Sequence, residues 1–157
     1  DIRFTEGLNM GEDMMVMMKL FICAGKVGIV HRPFYHYRQS NPESLTKIYS
    51  QEHIIQVANN VYEVEKYVNA SAYADSLIEF IPFLKLNIKL PLLITDDKSH
   101  YEQWLECFPE ANCYVMNNKL LPLRTRIIQW MAVKRYFILL RLYYRTVFKL
   151  VYGIIYK

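Results

Sequence analysis

Phe4-Thr5-Glu6-Gly7-Leu8-Asn9-Met10-Gly11-Glu12-Asp13 opens this chain, and Pro33-Phe34-Tyr35-His36-Tyr37-Arg38 follows about twenty residues later. Between them, the Met, Leu, Phe and Ile content of Met14 to Ala24 suits a buried helix. Glu12 and Asp13 at its start would complement the helix dipole and accept bonds from free N–H groups. Gly25 is placed to act as its C-cap. Val27-Gly28-Ile29-Val30 then reads as a short strand stopped by Pro33. Phe34 to Arg38 alternates weakly, as a short strand or extended loop does.

Outward from this stretch the pattern turns helical. Ile54, Ile55, Ala58, Val61, Tyr62, Val64 and Val68 recur at three- and four-residue spacing. A further helix is predicted from Ser71 towards Leu86, bent or interrupted at Pro82. Another spans about Ser99 to Phe108 and ends before Pro109. From Leu123 to Lys157 aromatic, aliphatic and basic residues alternate. At 100° per residue, Lys134, Arg141, Arg145 and Lys149 fall within about 80° of one another, flanked by Arg126, Arg124 and Arg135. Trp130, Phe137, Leu139 and Phe148 lie elsewhere on the wheel. No apolar run here approaches the ~20 residues of a spanning helix. A basic face with an aromatic and aliphatic one suits a helix lying in a membrane interface; a helix packed on its own domain, its basic residues solvated, is the alternative.

Composition narrows the classes. At 53% hydrophobic and 15% aromatic, the chain is no disordered segment. Cys23, Cys107 and Cys113 form no CxxC pair and read as reduced cytoplasmic thiols. Up to Glu110 there are 15 acids against 10 Lys and Arg, a formal −5; beyond it come nine basic residues and no acid. That asymmetry describes a globular part with a tail drawn to anions. The start at Asp1, inside the opening motif and without a secretory leader, suggests a cut from a longer protein.

Motifs of metalloproteases, P-loops, dinucleotide folds and serine hydrolases do not occur. Asp96-Asp97 reads as an exposed turn. What remains is Glu6-Gly7, Gly11-Glu12-Asp13, Pro33 to Arg38, and Ser44-Leu45-Thr46. A carboxylate here can take a proton from a hydroxyl. His36 can ligate a divalent cation, and Arg38 can hold phosphate oxygens in a fork. Taken singly, each has a structural explanation: a cap, a packed imidazole, a solvated guanidinium.

In order and spacing together, the "EG…GED" run and the "PFYHYR…S.T" run resemble the C-terminal half of family 2 glycosyltransferases, over roughly residues 1–50. The resemblance implies an α/β fold, the C-terminal part of a GT-A (Rossmann-like) domain, followed by a helical region at 51–122 and a basic amphipathic tail at 123–157. It implies inverting transfer of a sugar from a nucleotide-sugar donor, a UDP-sugar, to a glycan or lipid-linked acceptor in bacterial surface-polysaccharide synthesis. Asp13 matches the catalytic base and Glu12 its acceptor-positioning neighbour. Arg38 and His36 match donor contacts, His36 also as a metal ligand. The family's divalent cation, Mn or Mg, is held mainly by a DxD motif that these 157 residues lack, so the chain alone is expected to be inactive.

The expected location is the inner face of the cytoplasmic membrane, reached through Arg126, Lys134, Arg141, Arg145, Lys149 and Trp130. The competing reading is a non-enzymatic helical module at a membrane surface. Nucleic-acid binding by stacked aromatics is set aside, because so many large aliphatics suit lipid better.

Overall fold

A glycine starts the first helix. Gly11 adopts φ 80°, a left-handed conformation that costs other residues more, and its carbonyl accepts the first helical bond from Met15 N at 3.1 Å. The computed structural model describes residues 2–36 and 51–152, and from Gly11 it runs helix α1 over Glu12–Cys23. The helix ends at Ala24 in extended backbone. Gly25 is therefore not the left-handed C-cap that its position suggested.

The chain divides into two compact units, Asp1–Leu77 and Ile78–Lys157. In the first, α1 packs on α2, Gln51–Asn69. Met15 from α1 and Val61, Val64 and Val68 from α2 are sealed from solvent. The three valines share one face at i, i+3 and i+7, as a helix packed on one side requires. Ile55 and Tyr62, grouped with them by spacing, lie on the open side.

The expected α/β fold is not what forms. Among the described residues there is no strand, and the molecule is mainly helical. Val27-Gly28-Ile29-Val30 runs without regular structure, with Ile29 81% exposed. A strand is stabilised by the ladder it shares with a neighbour. No strand runs beside this one among the described residues, so the β-propensity of Val and Ile has nothing to act on. Phe34 to His36 are likewise irregular and exposed; Tyr37, Arg38, Ser44 and Thr46 lie outside the described residues.

The second unit is built from short pieces. A 3-10 turn at Asp75–Leu77 closes the first unit, and α3 then runs over Phe80–Ile88. Pro82 sits in its first turn, where a missing N–H costs nothing, so Pro82 belongs to a helix start and not to an interruption. A 3-10 turn, Leu90–Leu93, leads to α4, Lys98–Glu106. Asp97 caps α4 by accepting from Ser99 N at 2.9 Å. A 3-10 segment, Pro109–Tyr114, is followed by α5, Leu123–Val133, and α6, Phe137–Tyr143; a π-helix occupies Tyr144–Tyr152. The core joins Leu84, Leu86, Leu92, Tyr101, Trp104, Phe108, Ala132 and Leu140.

The tail is not one helix, as a single helical wheel assumes. Arg135 turns left-handed at φ 56°, its N–H bonds Ala132 O, and Tyr136 N–H bonds Met131 O, both at 2.9 Å. That bond pair is a Schellman stop, which ends α5 cleanly. Arg135 holds the position that glycine or asparagine ordinarily fills, and carries the steric cost of its Cβ there.

Candidate functional site

The candidate catalytic pair sits where α1 begins, on a loop fastened to α2. Thr5 to Leu8 forms a tight turn, Leu8 N donating to Thr5 O at 3.3 Å with Gly7 at φ 79°. Past it, Asn9 N donates to Gln56 Oε1 at 3.0 Å, and the buried Asn60 side chain donates to Met10 O at 2.8 Å. Two amides of α2 thus hold the residues just before Gly11. A Cβ on Gly11 would meet Val57 only at ordinary contact distance, so the positive φ is what calls for glycine.

Glu12 is half-buried and Asp13 exposed. Asp13 Oδ1 accepts from Met14 N at 2.7 Å. No Lys or Arg forms an ion pair with Asp13 among the described residues, and free N–H groups at a helix start favour a negative charge. The result is an exposed carboxylate on a loop held by two side-chain hydrogen bonds from α2. At the other end of α1, Cys23 Sγ lies 2.8 Å from Tyr67 Oη, and Lys19 Nζ stands 5.6 Å above the Tyr67 ring. The hydrogen bond to Cys23, then desolvation, pushes the Tyr67 phenol up.

His36 is exposed. Among the described residues no three His, Cys, Asp or Glu side chains gather as a metal site does, so His36 gains no co-ligands there. Arg38 lies outside the described residues.

The basic residues assigned to a membrane face divide into two kinds. Arg126 Nη1 donates to Met116 O at 2.9 Å, Arg141 Nε donates to Asp96 O at 3.1 Å, and Arg145 Nε lies 3.5 Å from Asp96 Oδ2. These three fasten the second unit to itself. Lys134 is exposed, and Trp130 is exposed in part, meeting Tyr136 edge-on at 5.7 Å. The Lys149 side chain lies outside the described residues.

Spacing gave no hint of Lys89, the most constrained charge in the second unit. It is 2% exposed. Its Nζ donates to the carbonyls of Trp104, Cys107 and Phe108 at 3.1, 2.7 and 3.3 Å and to Asn112 Oδ1 at 2.6 Å. It also lies 4.0 Å above the Trp104 ring. The Trp104 and Cys107 carbonyls lie at the end of α4, where a helix leaves oxygens without partners, so a buried ammonium caps α4 and complements its dipole; the Phe108 oxygen also accepts from Ala111 N at 3.0 Å. Burial pushes the group down to about 8, while the nearby Cys107 and Glu110 pull it upward. All its donors are used within the fold, which marks Lys89 as structural. The only sequence signal is a lysine inside the apolar run Leu86 to Leu93.

No family model, curated protein or solved structure matches this chain.

Proposed function

We propose that this chain carries the acceptor-activating part of an inverting glycosyltransferase, acting from a nucleotide-sugar donor on a glycan or lipid-linked acceptor of a bacterial surface polysaccharide. The observation that carries the reading is the mount of Asp13: an exposed carboxylate at a helix start whose preceding loop is held by Gln56 and Asn60. In a single displacement, the acceptor hydroxyl gives its proton to the Asp13 carboxylate as its oxygen attacks the anomeric carbon. The bond from that carbon to the nucleoside diphosphate breaks with its electron pair, inverting the centre. Glu12, one residue earlier on the same turn, positions the acceptor. Fixed placement of the base matters because general-base help depends first on geometry.

The leaving diphosphate needs positive charge, which in this reading comes from Arg38, His36 and a divalent cation. The described residues alone do not compose a site for that cation. No described helix is long and apolar enough to cross a membrane; the proposed place of action is the cytoplasmic membrane's inner face, approached from the side. On α6, Ile138 is 85% and Leu142 56% exposed, which favours one other reading, a membrane-surface module without catalysis.

The test is UDP release from a panel of UDP-sugars with Mn or Mg, a DxD-bearing donor domain being supplied upstream in the same chain. Metal-dependent release that collapses in Asp13→Asn supports the enzyme. Wild-type release by the variant removes Asp13 from the chemistry, and no release from any donor leaves the membrane module.

A further inference from the structure

We infer that the corner where α5 turns into α6 docks onto an anionic phospholipid bilayer, and this inference stands independently of the glycosyltransferase reading. A cleft of about 620 Å³ opens beside α6, lined by the apolar Tyr101, Tyr136, Phe137, Ile138 and Leu139 and by the basic Lys98, Arg135 and Arg141. Ile138 is 85% exposed and Leu142, one turn further along α6, is 56% exposed. Aliphatic side chains that open to water on one helix face are what an acyl region covers. Trp130 and Tyr136, edge-on to each other at the same corner, are the ring types that settle at headgroup depth.

The charges choose the lipid. Asp96 is taken up by Arg145, Lys98 by Glu102 at 3.1 Å, the Asp97 side chain by the Ser99 amide, and Arg141 Nε by a main-chain carbonyl. Lys134 and Arg135 are exposed and have no ion-pair partner among the described residues. The Schellman stop fixes Arg135 between the end of α5 and the apolar start of α6. Two unneutralised cations therefore border an open aliphatic face, and no acid occurs in the chain after Glu110. Phosphodiester headgroups above acyl chains complement both features at once. The open Ile138, Leu139 and Leu142 offer neither charge nor hydrogen bond to a phosphate or a base, and acyl chains match that face better than a nucleic acid does. This surface differs from the single helical face drawn from the sequence, because Arg126, Arg141 and Arg145 are occupied within the unit.

The experiment is co-sedimentation of the 157-residue chain with vesicles of phosphatidylcholine, alone or mixed with phosphatidylglycerol. Binding to the mixed vesicles, weaker binding to phosphatidylcholine, and partial retention at high salt are expected. Ile138→Asp with Leu142→Asp, both at exposed positions and checked for helicity by circular dichroism, should weaken binding to both vesicle types by at least about tenfold. Lys134→Gln with Arg135→Gly should weaken binding to the anionic vesicles by about thirtyfold and leave phosphatidylcholine binding unchanged. Lys66→Gln, a charge removed from the first unit, should change neither. Wild type that ignores both vesicle types overturns the inference. So does a folded double-Asp variant that binds as wild type, or binding that high salt abolishes completely.

Discussion

In the first unit Met17, Leu20, Phe21, Ile29, Val30 and Phe34 lie open to water, whereas the second unit seals Leu86, Leu92, Tyr101, Trp104 and Leu140. Each unit is helical, yet they use apolar side chains differently. Among the described residues the first is a helix pair with a buried seam, and many of its outward apolar residues are spread along α1 and the irregular stretch after it. The second closes a core around α4 and exposes Tyr136, Ile138, Leu139 and Leu142 where α5 turns into α6, with further apolar residues such as Ile78 and Leu120 open elsewhere. The residues proposed for chemistry sit in the thinner unit, held by two amide straps, while the stable core carries the proposed docking surface.

Changes in the second unit should therefore be the more costly. Trp104→Ala removes a sealed ring and the face above which the Lys89 ammonium rests; urea unfolding should show a loss of about 3–5 kcal/mol. Lys89→Met takes the ammonium from the Trp104 and Cys107 carbonyls and Asn112 Oδ1, leaving the Phe108 oxygen only its bond from Ala111 N, and should cost about 2–4 kcal/mol.

The same lysine gives a pH signature. Its folded value, about 8, lies below the ordinary 10.5, so between these two the unfolded chain binds more protons than the folded one. Below pH 8 the cost of burying the charge is fully present; it disappears as pH rises from 8 to 10.5. The wild type should gain up to about 3 kcal/mol across that window relative to Lys89→Met. Parallel pH profiles for the two proteins would show that the ammonium is not buried as described.

In the first unit Asn60→Ala breaks one strap but also removes Asn60 Oδ1, which is buried without a partner. A loss of only about 1 kcal/mol is expected, and, on the proposed glycosyltransferase reading, slower transfer when a donor domain is supplied, as the start of α1 loosens. Equal costs for Asn60→Ala and Lys89→Met would erase the contrast between the units. The smallest effect should be a gain: Arg135→Gly relieves the left-handed residue and should raise stability by about 0.5–1 kcal/mol.

How much of this was legible follows from what each element depends on. The helices at Met14, Ile54 and Ser99 were readable because their determinants are local: three- and four-residue spacing, acids at one start, a proline beyond one end. The strand at Val27 was misread because strand propensity is a bid for a partner, and the described residues hold none. The tail's break was hidden because its stop residue is Arg135; a glycine there would have announced it. Lys89 was invisible because its acceptors lie 15 to 23 residues away and converge only after α4 folds back. The candidate pair Glu12 and Asp13 was found from the motif, and the straps from Gln56 and Asn60 were not, since amides on a helix face carry no spacing signature.

The most direct measurement is the separation of kcat from KM for Asp13→Asn, in a chain that includes the donor-binding domain and with a defined acceptor. Asparagine keeps the size of the side chain and its bond to Met14 N, so the mount should survive. A fall in kcat of about 10²–10⁴-fold, with donor KM within about twofold of wild type, is the expected result for a lost general base. An unchanged kcat would contradict the assignment of Asp13, and with it the claim that the start of α1 is where the acceptor loses its proton.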